Sequence, residues 1–542
     1  MATDKKDKPK REKLSIYLVK EGFDLDAQII KTENSDAPIL LNLEQGEAKL
    51  YVKKEIPRDS PKWSKLFTVL PEVPADAFGR PNSVGAILLY RLERTFLLSF
   101  GHGFHLIQDD AVERDFGLRV TLNSVEPGGL RSLDKASYDH NPLNSRTQSS
   151  KELDIFDLEM DAESDLLQAV TGTSKEPLFG SHVTGRDALT LMVEIEAGGI
   201  AQILHKALEK YSAVLPPEFE WVDNISKVRD RDDVEILDLL LNDELLVSNS
   251  SAVWLGEPEI VDWESQAGYS FDMRLRTPVH PVLELEDLRS YLADRHLSMS
   301  VDVLKVQPIH INDASFGSVK CWPAYRCLYA EITSEHEEFI LRNATWYRVK
   351  NAFVDRIDRT LASLENSPIQ FPTYEHSSEG EYNSSVAVAD PTFHLMDKRN
   401  VAIGGPHDKI EFCDLIKDNV AFVHVKYYRS SATLSHLFAQ ANVAAETFVR
   451  DEDFRVRLNP KLPAGVQAAD PRLRPVASRF QIVYAIATTK VLPMELPFFS
   501  KVTLKNAIST LRALNFDVQI ARIDVAPEFL KKAVFKSNKK PG

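Results

Sequence analysis

Three cysteines in 542 residues are too few to build a disulfide framework, which points to a reducing compartment and a cytoplasmic protein. Cys321 and Cys327 flank WPAYR. That spacing is wider than a zinc knuckle and has no second Cys or His pair to complete it, so both are read as buried thiols. No run of about 18 apolar residues occurs, which excludes a membrane-spanning helix. The opening MATDKKDKPKREK has the charge of a signal peptide without its apolar stretch, so residues 1–12 are expected to form a disordered basic arm. GxGxxG and Walker A loops, a GxSxG elbow and HExxH are all missing, which removes sequence support for the corresponding nucleotide-binding, hydrolase and metalloprotease classes.

What is present is an ordinary globular composition, 43% hydrophobic and 27% charged, on a chain too long for one core. The net charge of −15 is unevenly spread. Residues 421–542 carry 19 Lys and Arg against 9 Asp and Glu, whereas the first 420 carry 46 against 71. A basic end can neutralise phosphates while an acidic body repels them. The same asymmetry also fits pairing of the two parts within the chain, in a homo-oligomer, or with a partner protein.

The expected class is α+β and multidomain. Residues 13–150 read as a mostly antiparallel β domain, with strands in KLSIYLV, APILLNL, AKLYVKK, SVGAILLYRLERTFLLSF and GLRVTLNSV, and turns at FGHGFHL and EPGG. Residues 151–370 form a mixed α/β middle region. Its helices are AQILHKALEKYSAVL, DDVEILDLLLNDELL, LEDLRSYLADRHL and NAFVDRIDRTLASL, and CLYAEITSEHEEFILRNATWYRV reads as a strand pair. Residues 371–542 form an α/β domain with a basic tail, KKAVFKSNKKPG. There EYNSSVAVA is a helix, and FHLMDKRN, KIEFCDLI and AFVHVKYY are strands. Leu434, Leu437, Phe438, Ala441 and Ala445 mark one face of a helix; a strand (RFQIVYAIATT), a helix (VTLKNAISTLRALN) and a strand (FDVQIARID) follow.

This succession resembles the PD-(D/E)XK nuclease superfamily, with its restriction-endonuclease-like core. The resemblance places Asp414 and Glu381 at a metal, Lys426 beside it, and Gln440 on the flanking helix. Two residues before Lys426 the pattern wants an acid, and here stands His424, given an assisting role. Glu411, Asp397 or Glu381 would supply the missing carboxylate. Glu411, three residues before Asp414, would point to the opposite face of a regular strand unless a bulge intervenes. HVKYYRSSATLSHLFAQ, and FGHGF followed by FGLRVTLN, also resemble a sporadically distributed bacterial family of unknown function. That scattered distribution implies a role in defence against phage or mobile DNA.

The implied activity is a metal-dependent nuclease. Mg²⁺ or Mn²⁺ would be held by carboxylates to polarise a phosphodiester and activate water. Nucleic acid is the implied partner, DNA ahead of RNA. Arg429, Arg455, Arg457, Lys461, Arg472, Arg474 and Arg479 are the candidate phosphate contacts. The alternative, favoured by His424, is a non-catalytic nucleic-acid-binding or scaffold protein with a degenerate nuclease fold. A third reading places nucleotide chemistry at His102 and His105 of FGHGF, where a glycine-rich turn is the plainer explanation.

Overall fold

A computed structural model of the chain describes residues 11–43, 45–54, 84–108, 110–137, 144–194, 199–247, 250, 252–259, 266–273, 280–313, 317–402, 409–428 and 431–527, with backbone only at 266, 267, 431 and 432. The basic arm (apart from Arg11 and Glu12), the basic tail and Arg429 therefore lie outside the described residues. The chain divides into two compact units, residues 1–136 with 144–222, and residues 137–143 with 223–542. The fold is mixed α+β and built on antiparallel sheets, with parallel strands in the C-terminal sheet.

The first unit is organised on a ten-stranded sheet. Glu12–Leu18 lies in its middle, between Thr95–Gly101 and Leu189–Val193. Alternating apolar side chains turn Leu14, Ile16 and Leu18 into a core shared with the helices Phe116–Leu122 and Ile200–Ser212. The first of these helices corrects the strand expected at GLRVTLNSV. Six of its seven residues are buried, and a short helix covered all round shows no polar alternation to distinguish it from a buried strand. EPGG likewise falls inside the strand Val125–Ser137 rather than at a turn. FGHGF does turn, through a short 3-10 segment Gly103–Leu106. A Cβ on Gly103 would lie 2.1 Å from the Ala86 carbonyl oxygen, so backbone proximity demands that glycine.

In the second unit, CLYAEITSEHEEFILRNATWYRV forms three strands rather than two, Leu328–Ser334, Glu337–Arg342 and Thr345–Val349, within a five-stranded sheet. Neither Cys321 nor Cys327 is in a disulfide. Cys327 is buried as expected, whereas Cys321, on the edge strand Ser318–Pro323 of a three-stranded sheet, is exposed and corrects that expectation. The boundary expected near residue 370 lies inside this unit. Helix Asn351–Leu361 packs on helix Phe498–Ala513 through Phe353 and Phe498, ring centroids 5.2 Å apart, and through a 2.9 Å Lys501–Asp358 ion pair.

The C-terminal sheet has six strands in the order Glu365–Asn366, Asp517–Ile523, Gln481–Ala487, Ala421–Tyr427, Leu415–Lys417 and Phe393–Leu395. The first four run parallel and the last two close an antiparallel edge. Its central strand, QIVYAIA, is apolar and buried from Ile482 to Ala487 because both faces are covered. Val423, Val425, Val483 and Ala485 face a core that includes Tyr382 and Val386 of helix Glu379–Ala389. On the other face, Phe422 and Tyr484 meet Phe448 and Phe438 of helix Ser431–Arg450. Leu434, Leu437, Phe438, Ala441 and Ala445 are buried there, the face that their spacing marks. No helix among the described residues is long and apolar enough to cross a membrane.

Candidate metal centre

KIEFCDLI is not one strand. It pairs at Lys409–Ile410 and again at Leu415–Lys417, and residues 411–414 between them are irregular. Strand alternation therefore does not govern Glu411 and Asp414. The backbone N–H groups of Met396 and Asp397 both donate to the Asp414 carbonyl, at 2.8 and 3.0 Å. A tight turn follows, in which Lys398 has φ 62° and donates its N–H to Glu411 Oε1 at 2.6 Å. The result brings Asp397, Glu411 and Asp414 together, with one carboxylate oxygen from each lying within 4.8 Å of the others.

Around these acids the hydrogen bonds are directional. Gln440 Nε2 donates to Glu411 Oε2 at 3.1 Å, and Val425 N–H donates to Asp414 Oδ2 at 2.7 Å. Asn383 is fully buried and its Nδ2 donates to Asp414 Oδ1 at 3.4 Å, while its Oδ1 has no partner. Burial raises Asp414 to about 8, assisted by the charges of Glu411, Asp397 and Glu379 and opposed by the Val425 N–H. Burial and Asp397 also raise Glu411. Glu411 and Asp414, held this close, resist losing both protons unless a positive charge joins them. Every donor is a hard oxygen, so the set fits Mg²⁺, Mn²⁺ or Ca²⁺ rather than a thiophilic metal.

Asp414 and Gln440 thus belong to the cluster. Lys426 reaches it indirectly: its ammonium pairs with Glu379 at 2.9 Å and forms no ion pair with Asp414. Glu381 lies outside. Its carboxylate accepts from Ser377 N–H and Oγ at 3.2 and 2.6 Å, while its own N–H donates to Ser378 Oγ, the helix cap. Glu379, in the same turn, faces the cluster instead and also accepts from Tyr427 N–H at 3.1 Å. The signal for this was Ser-x-x-Glu at 378–381, a capping pattern that commits Glu381 to the helix end. His424 is also outside. It is 1% exposed, next to Tyr484 beneath helix Ser431–Arg450, and burial alone lowers it to about 4. Its Nδ1 has no hydrogen-bond partner, so a neutral imidazole is the state this environment favours.

The basic residues divide similarly. Arg472, Arg474 and Arg479 are exposed. Arg457 Nη1 and Lys461 Nζ donate to the carbonyls of Ala402 and Asn400, each at 2.6 Å, bracing the loop beyond Asp397. Arg455 is buried, its guanidinium donating to the carbonyls of Phe448, Val449, Pro471 and Arg472. Arg455→Ala would strand those acceptors, two of them at the end of helix Ser431–Arg450. A loss of roughly 3 kcal/mol is expected in urea denaturation. In the first unit, His102 and His105 are parallel rings with centroids 6.3 Å apart on the Gly103–Leu106 turn.

The Family of unknown function (DUF6119) matches residues 14–524. No curated protein and no solved structure matches the chain. With nearly its whole length covered, the chain belongs to that family of unknown function.

Proposed function

We propose that the C-terminal sheet carries a divalent-cation-dependent phosphodiesterase centre acting on nucleic acid, on a core of the PD-(D/E)XK type. The observation that carries this reading is the convergence of Asp397, from the turn after Phe393–Leu395, with Glu411 and Asp414, from the irregular segment 411–414, onto one spot. The unpartnered oxygen of the buried Asn383, whose amide donates to Asp414, is an independent sign of polar demand there. Asp397, Glu411 and Asp414 would hold Mg²⁺ or Mn²⁺, whose contribution when bound is to polarise the phosphoryl oxygen and lower the pKa of water. Gln440 fixes the rotamer of Glu411, and Val425 N–H fixes that of Asp414. Glu379 holds the Lys426 ammonium at the edge of the site, where it can answer charge developing on a phosphate.

The test is purified full-length protein with plasmid DNA and with RNA, in Mg²⁺, Mn²⁺ or chelator. Cleavage that requires the cation is expected, with DNA preferred. Glu379→Gln should reduce the rate about tenfold by releasing Lys426, whereas Glu381→Gln should leave it within about twofold, since its work is at the helix cap. A non-catalytic nucleic-acid-binding scaffold is the second reading. It is favoured by Glu411, whose two oxygens are both already engaged, and by Lys426, already paired. Cation-independent binding with no cleavage of either nucleic acid would select it.

A further inference from the structure

The lysine that the strand pattern brings forward, Lys426, is committed to Glu379, and attention therefore falls on Lys398. Its side chain is exposed, and its ammonium forms no ion pair or hydrogen bond with the described residues. Its backbone, by contrast, is fixed. The left-handed φ of 62° and the 2.6 Å bond from its N–H to Glu411 set where the side chain starts. Its end lies beside Gly380. A Cβ built on that glycine would meet Asp397 Oδ2 at 2.8 Å and Lys398 Nζ at 3.2 Å. The bare first turn of helix Glu379–Ala389 thus has a carboxylate oxygen of the cluster and an uncommitted ammonium as its neighbours.

Resting on the phosphodiesterase reading above, we propose that Lys398, whose ammonium lies beside Asp397 of the cluster, is the residue that grips the substrate phosphate. A mobile, strongly hydrated point charge suits a non-bridging phosphate oxygen. It adds no ligand to the cation, and as a like charge it opposes cation binding. Its two effects therefore have opposite signs. Lys398 helps the phosphate and hinders the metal, a combination that a merely structural residue would not produce.

The experiment uses the full chain, with Mn²⁺ binding followed by calorimetry and cleavage followed on a fluorescent 20-base-pair DNA duplex. K398A is expected to bind Mn²⁺ as tightly as the unsubstituted chain or up to about threefold tighter, while kcat/KM falls about ten- to hundredfold. K398R, which keeps the charge, recovers most of that loss. The inference is overturned if K398A cleaves as well as the unsubstituted chain, or if K398A loses Mn²⁺ binding, which would make Lys398 a support of the cluster. If the unsubstituted chain takes up Mn²⁺ but cleaves neither this duplex nor RNA, the phosphodiesterase reading fails and takes this inference with it.

Discussion

Asp414→Asn is expected to lower cation-dependent cleavage at least about a hundredfold while leaving the fold intact. The substitution is nearly isosteric. An amide oxygen at the same place still accepts from Val425 N–H, so the bond that orients residue 414 survives. What disappears is the negative charge, and a divalent ion holding on to two acids and an amide is bound far more weakly than one held by three carboxylates. In the cation-free protein the change should be stabilising at alkaline pH, because it removes a carboxylate that burial and three acidic neighbours disfavour. A variant that melts higher and cleaves less distinguishes a site residue from a core residue. Urea melts at pH 8 without cation, set beside cleavage rates with Mn²⁺, would read both.

The second large effect is on pH dependence. Asp414 is raised to about 8 in the folded chain and has an ordinary value of 3.8. Below the lower value both states are protonated, and Asp414 favours neither. As pH climbs through the interval, the unfolded chain gives up its proton and the folded chain keeps it, so stability falls until the folded carboxyl also ionises near 8. The cation-free protein should therefore lose stability between about pH 4 and pH 8 through this residue, on the order of a few kcal/mol. Asp414→Asn should flatten the decline. A saturating cation should do the same, because it binds the ionised form and expels the proton. Calorimetric titration of Mn²⁺ at pH 7 in two buffers of different ionisation enthalpy would detect that released proton. An uptake independent of pH between 6 and 8 would rule the arrangement out.

How far the sequence disclosed this site depends on which physical rule governed each residue. The sheet was legible because its central strand is apolar without interruption from Ile482 to Ala487 and its main covering helix repeats Leu434, Leu437, Phe438 and Ala441 on one face. Asp414 and Gln440 could be placed from element order. The orientation of Glu411 was open in the sequence, because the alternation rule does not reach across four residues that form no strand. Their geometry is set instead by the Asp397 turn bonding back to Asp414, a contact invisible to any local pattern. Glu379 and Glu381 are two residues apart on a helix and so point in different directions. Only the cap at Ser378, combined with the position of Tyr427, decides which one faces the cluster. His424 and Lys426 alternate correctly, yet His424 lies under helix Ser431–Arg450 while Lys426, nearer the strand end, reaches Glu379. Arg455 illustrates the same limit, since a basic residue in a polar segment reads as a phosphate contact until its carbonyl partners are seen.

One titration bears most directly on the account: Mn²⁺ added to the full-length chain and to the triple variant Asp397→Asn, Glu411→Gln, Asp414→Asn, with bound ion counted by electron paramagnetic resonance. Site-bound Mn²⁺ in the first and none in the second is the predicted result. Equal uptake by both, or none by the unsubstituted chain, would mean that the three clustered acids do not serve a cation.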